Sequence, residues 1–105
     1  MYSPAATVAF VKAVRKFAVQ TPDWKPALRY HTLPDERYDI TLAALRVYGD
    51  RAQFMVILAA AGLDSVEQLL PEQPLVLPNA TQLLDIKRQT GYLTDNEARA
   101  FASLG

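Results

Sequence analysis

Between residues 5 and 19 the apolar positions Val8, Phe10, Val11, Val14, Phe17 and Ala18 cover most of a helical cylinder, and Lys12, Arg15 and Lys16 share one narrow polar face. A stripe this wide predicts a helix buried on more than one side, within the domain or as an arm against a partner. Ser3 and Pro4 suit its start, serine as N-cap and proline at the first helical position. The pattern breaks at Thr21-Pro22-Asp23-Trp24-Lys25-Pro26, where two prolines rule out a regular helix and predict a turn-rich connector. Alternation then takes over in 28–33. Leu28, Tyr30 and Thr32 point one way and Arg29, His31 and Leu33 the other, which predicts a short strand ended by Pro34-Asp35-Glu36-Arg37.

Helical spacing returns with Ile40, Ala44, Leu45 and Val47, capped by Asp39 or Thr41 and stopped by Gly49 after Tyr48. Asp50 and Gln53 have the spacing of a capping box and open a strongly apolar helix expected over 52–61, with Gly62 at its end. Residues 63–70 read as a loop or short helical turn, with Ser65 and Gln68 as a weaker box. Prolines 71, 74 and 78 bracket Leu75-Val76-Leu77, a short edge strand able to pair with 28–33. Two strands cannot stand alone, so the two helices must cover them. Asn79 and Gln82 begin a helix expected to run to residue 89 or 90 and to stop at Gly91. Thr94 and Glu97 open a last helix through Phe101, in which Asp95 and Arg99 sit four apart.

Composition narrows the picture. A chain of 105 residues, half of them hydrophobic, fits one domain with a small core. Eleven basic and eleven acidic residues balance to zero net charge, a weak footprint for nucleic acid even with Lys12, Arg15, Lys16, Lys87 and Arg88 present. Without cysteine there is no disulfide framework, thiolate nucleophile or thiolate metal site, and one histidine cannot make a histidine-rich site. No apolar run reaches the roughly 18 residues of a membrane span. The N-terminal segment carries its positive charges in the middle of its apolar run, the reverse of a signal peptide, so a soluble amphipathic helix is expected.

Chemistry has few candidates. His31 is the one side chain with an ordinary titration near neutrality, flanked by Asp35, Glu36 and Asp39, but no serine or cysteine stands in a nucleophile elbow. Those three carboxylates sit in one loop, whereas glycosidase pairs face each other across a cleft. The glycines at 49, 62, 91 and 105 are too scattered to cradle phosphate. No enzymatic activity, cofactor or metal is expected.

The order strand, helix, helix, strand over 28–78, with Tyr30 in the first strand, Tyr48-Gly49 ending the first helix, Ile57 in the second and Gln73-Pro74-Leu75-Val76-Leu77-Pro78 at the close, resembles the LysM family. That resemblance covers about half the chain and implies an α+β fold: a βααβ core, two antiparallel strands packed on two helices. Two positions depart from the glycan-binding pattern of that family: Ala61 stands in place of asparagine, and Glu72 in place of the closing glycine. Tyr48-Gly49-Asp50, then Phe54 and Ile57, is more similar to the LysM-like proteins of contractile tails, found in phage baseplates and related injection machines. In that group the fold acts as a structural peg binding other tail proteins.

The resulting expectation is a single domain over 1–105, with an N-terminal helix and connector (1–27), a LysM-like core (28–78) and a C-terminal helical extension (79–105). The resemblance implies a baseplate wedge subunit located in the virion, assembled in the host cytoplasm. Its partners would be other baseplate or tail proteins, with no nucleic acid and no membrane, and a peptidoglycan-binding module is the disfavoured alternative. The fold is marked by Tyr30, Tyr48, Gly49, Asp50, Ile57, Leu75, Leu77 and Pro78. The candidate protein interface is Phe10, Phe17, Trp24, Tyr92 and Phe101, large apolar residues outside the core unit.

Overall fold

The first helix, α1, runs Pro4–Gln20 in the computed structural model, which describes residues 4–92. Phe10 and Val14 are fully buried on its inner face, Val11 and Phe17 are half-buried, and Val8 and Val19 are exposed. The helix packs against three other elements: the helix over 54–60, the helix over 80–90 and the strand over 74–77. Of the two readings of its wide apolar stripe, burial within the domain is the one observed. The Thr94–Glu97 box, the Asp95/Arg99 pair and Phe101 lie outside the described residues.

The α+β character and the strand, helix, helix, strand order expected for the middle of the chain are observed. Strand β1 (Leu28–His31) pairs antiparallel with β2 (Pro74–Leu77) in the register Leu28 with Leu77, Arg29 with Val76, Tyr30 with Leu75 and His31 with Pro74. Period-2 alternation puts Leu75 and Leu77 in the core beside the half-buried Leu28 and Tyr30, and leaves Arg29 and His31 outside. Pro74, which cannot donate to the ladder, takes the first position of its strand. The pairing runs one step beyond β1, where the Thr32 N–H donates to the Gln73 carbonyl at 3.0 Å. The Thr32 hydroxyl, itself buried, donates to Pro71 O at 2.8 Å and accepts from Gln73 N at 2.8 Å.

Helix α2 (Ile40–Tyr48) begins where the Asp39 carboxylate accepts from Thr41 N at 3.0 Å, and ends where Gly49 adopts φ 72°. A side chain with a Cβ is strained in that left-handed region, which explains the glycine. The next segment differs from its sequence reading. Asp50 does cap, accepting from Ala52 N at 2.9 Å, but the reciprocal half of the box is not formed. The Gln53 carbonyl instead accepts from the buried Lys87 ammonium at 2.7 Å, a charge-assisted bond that outcompetes the backbone amide. The chain therefore opens with a 3₁₀ turn, Arg51–Gln53, and helix α3 is confined to Phe54–Ala60. Its residues Val56, Ile57, Leu58 and Ala59 are all buried, so this short helix is the centre of the core.

Helix α4 (Ala80–Thr90) carries the complete capping box expected of it. The Asn79 carbonyl accepts from Gln82 N and the Gln82 carbonyl accepts from Asn79 N, both at 2.9 Å. Replacing Asn79 with alanine is expected to cost about 1 kcal/mol, read as a lowered midpoint in urea unfolding followed by circular dichroism. An unchanged midpoint would show that the box adds nothing to the folded state.

Candidate interaction surface

The loop between β1 and α2 is organised by one buried carboxylate. Glu36 is fully buried and accepts three bonds: from Leu33 N at 2.7 Å, from the Tyr30 hydroxyl at 2.5 Å and from Arg46 at 3.0 Å. Arg46, reaching across from α2, also grips Asp35 through both guanidinium nitrogens, at 2.8 and 2.7 Å. Hydrogen bonding to Arg46 holds the Asp35 carboxyl below the ordinary carboxylate range. The Asp39 carboxyl is lowered as well, first by the Thr41 hydroxyl and then by the Thr41 amide and Arg51. Burial, followed by the neighbouring Glu36, raises the Tyr30 phenol. These carboxylates are thus engaged by arginines, hydroxyls and backbone in one loop, an arrangement that fixes backbone rather than facing a cleft. His31 lies exposed on the outer face of the sheet, its Nδ1 3.1 Å from Thr32 O. Among the described residues no group of histidine, aspartate and glutamate side chains is placed to hold a metal ion.

The loop between α3 and β2 is tied to this first loop. Leu70 N donates to Arg37 O at 2.9 Å, and Thr32 holds Pro71 and Gln73 as described. Both loops therefore lie at one end of the molecule. They expose apolar side chains there, Leu33 and Tyr38 from the first, Val66 and Leu69 from the second. Ala61 caps the end of α3, and Glu72 stands exposed just before β2. At the opposite end of the unit, the Tyr48 hydroxyl donates to Pro78 O at 2.7 Å, and burial pushes that phenol upward. Two of the fold-marking residues, far apart in sequence, thus clasp the end of α2 to the end of β2.

The five interface candidates separate into distinct groups. Phe10 and Tyr92 are a correction: both are buried, with their rings stacked at 4.3 Å and 20°. The turn at Gly91 (φ 75°) brings Tyr92 back over α1, so these two aromatics pack on each other and have no free face for a partner. Phe17 is half-buried beside Ile86 in the groove between α1 and α4. Phe101 lies outside the described residues. Trp24 is 79% exposed. Its connector is nevertheless held from three sides: Arg29 donates to Pro22 O at 3.0 Å, Lys25 N donates to Pro22 O at 3.1 Å and Gln82 donates to Pro26 O at 2.9 Å. The Lys25 ammonium sits 5.5 Å from the indole centroid. Val19, 84% exposed, precedes this turn at the end of α1.

Sequence reasoning placed Glu36 in the loop but missed its buried role, although the signal was present: it stands three residues after Leu33 with Pro34 between, the spacing at which a glutamate reaches back to an N-cap amide. It also missed the exposed apolar residues of the two loops, because alternation and helical period say nothing about irregular segments. No family model matches the chain, no curated protein matches it and no solved structure matches it.

Proposed function

We propose that this chain is a LysM-like structural subunit of a phage contractile-tail baseplate, a wedge component that binds neighbouring tail proteins by burying surface and without chemistry. The observation that carries the reading is Trp24, the only tryptophan, exposed on a turn that three hydrogen bonds hold in place. Tryptophan is enriched among the residues that dominate protein–protein binding, and a pinned turn loses little entropy on docking. The βααβ order, the Tyr48–Gly49 helix end and the Leu75-Val76-Leu77-Pro78 close support the choice of family. Ala61 and Glu72, at the positions where the glycan-binding pattern has asparagine and glycine, favour protein over sugar as the ligand.

The test is co-expression of the full chain with contractile-tail baseplate and tail proteins, followed by affinity capture of the complex. Trp24→Ala is expected to leave folding stability within about 0.5 kcal/mol and to weaken capture by roughly tenfold or more. In parallel, the wild-type chain is incubated with insoluble peptidoglycan. Saturable binding there that soluble oligosaccharides compete away, with no tail protein captured, would replace the assembly reading with a glycan-binding one.

A further inference from the structure

The groove between α1 and α4, where Phe17 meets Ile86, continues past the end of α1 to the Trp24 turn. Its volume is about 580 Å³, and the half-buried Ala13, Phe17 and Ile86 form its floor. Lys16 and Gln20 stand along the α1 rim, and Gln82 and Gln89 along the α4 rim. Thr21 and Lys25 close the groove at the connector, and the Lys25 ammonium lies 5.5 Å from the Trp24 ring centroid. The groove is therefore continuous with the exposed indole. Its charge is one-sided. Lys16 and Lys25 are both exposed, no carboxylate lines the groove, and among the described residues neither lysine is ion-paired. Arg29, which donates to the Pro22 and Lys25 carbonyls at 3.0 and 3.3 Å, adds a third cation at the connector. Asp85 accepts from Gln89 at 3.3 Å but lines the neighbouring hollow of α4, together with Arg88. Among the described residues, no hydrogen bond engages the side chains of Gln20 and Thr21.

We infer that this groove takes an extended acidic segment of a partner protein, with one apolar side chain set on Phe17 and Ile86 and carboxylates beside Lys16 and Lys25. Two like charges facing one groove without a counter-charge are relieved by a carboxylate beside them, and the same charges repel a basic partner. The Gln20 and Gln89 amides and the Thr21 hydroxyl carry both donors and acceptors, the match for peptide backbone. An extended chain leaves its backbone groups free for such bonds, whereas a helix satisfies them within itself. A nucleic-acid backbone fits less well. Three cations on a chain of zero net charge neutralise few phosphates, and the apolar floor offers them nothing. A neutral sugar would leave the lysines uncompensated. A segment that continues past Lys25 reaches Trp24, so the inference gives the chemistry of the partner that docks at that indole. It rests on the assembly reading above for the partner being a protein.

The probe is a displayed library of random peptides of about ten residues, long enough when extended to run the length of the groove, selected on the full chain. Enriched peptides are expected to carry two or more Asp or Glu close to an apolar side chain. Their binding, read by anisotropy of the dye-labelled peptide, should weaken by about threefold or more with Lys16→Glu and with Lys25→Glu, and should weaken as salt is raised. Arg37→Glu, the same charge change at the loop end of the molecule, should leave it unchanged. All three positions are exposed, and circular dichroism checks that each variant is folded. A selection that enriches no peptide, peptides without acidic residues, or binding that Arg37→Glu weakens as much as Lys16→Glu would each overturn the inference. So would heparin or a single-stranded oligonucleotide that binds more tightly than any selected peptide and is lost with the same lysines, or self-association of the chain that the lysine variants abolish. Tail capture that survives both lysine variants would count against the groove alone; absence of tail capture with acidic-peptide binding intact would count against the baseplate reading alone.

Discussion

Replacing Phe10 with alanine is expected to remove about 3–5 kcal/mol of folding stability, the usual cost of truncating a buried phenylalanine. Phe10 is fully buried in α1, and its ring stacks on Tyr92, so the substitution removes both the transfer of a large apolar side chain and an aromatic pair. The cavity would open between α1 and the end of α4. α1 also packs on α3 and β2, so the wall of that cavity is shared by most of the fold and cannot collapse locally. In urea the midpoint should fall by on the order of 2 M, a large fraction of what a domain of this size has to lose. Val19→Ala, at the next-to-last residue of α1 and largely exposed, is the control and should move the midpoint very little. A small shift with Phe10→Ala would mean that α1 docks on a core already complete without it, and the N-terminal helix would again read as an arm.

The second large effect is expected at Glu36. Alanine there leaves the Leu33 amide and the Tyr30 hydroxyl without their acceptor and withdraws one of the carboxylates that Arg46 holds. Stranding part-buried donors and breaking a charge-assisted network around a buried carboxylate should together cost about 2–4 kcal/mol. The loss has a spatial signature. The turn at Pro34–Glu36 supports Arg37, whose carbonyl accepts from Leu70 N in the other loop. Hydrogen exchange at the Leu70 amide should therefore accelerate more than exchange in the centre of α3, where protection follows only global unfolding. Glu36→Gln keeps one carbonyl acceptor and should fall between wild type and alanine. Uniform acceleration at both places would show that Glu36 contributes to overall stability without organising the two loops.

Much of this architecture could be read along the chain, and the reasons are local. Asp39, Gly49, Gly62, Asn79, Gln82 and Gly91 act through hydrogen bonds or dihedral angles within a few residues of themselves, so their spacing is enough to place helix ends. The alternation in 28–33 put Tyr30 and His31 on opposite faces for the same reason, and the structure shows that the Tyr30 face is the inner one. What failed to show was set by partners distant in sequence. Gln53 has capping-box spacing, but Lys87 takes its carbonyl. Phe10 and Tyr92 have the composition of surface anchors, yet each is the other's burial partner across some eighty residues. The groove between α1 and α4 needs Gln82, Ile86 and Gln89 brought beside Lys16 and Phe17, a juxtaposition that no periodicity in α1 alone encodes. Trp24, named as an interface candidate because it is large and lies outside the core unit, is exposed on a connector tied down at Pro22 and Pro26.

That placement makes the chain carry its own optical reporter. A lone indole held in water on a fixed turn emits at long wavelength whether the core beneath it is folded or not, because unfolding scarcely changes its surroundings. Its emission would shift to the blue only when something else covers it. In this protein, tryptophan fluorescence is therefore a signal of contact with a neighbour, separate from the far-ultraviolet signal of folding.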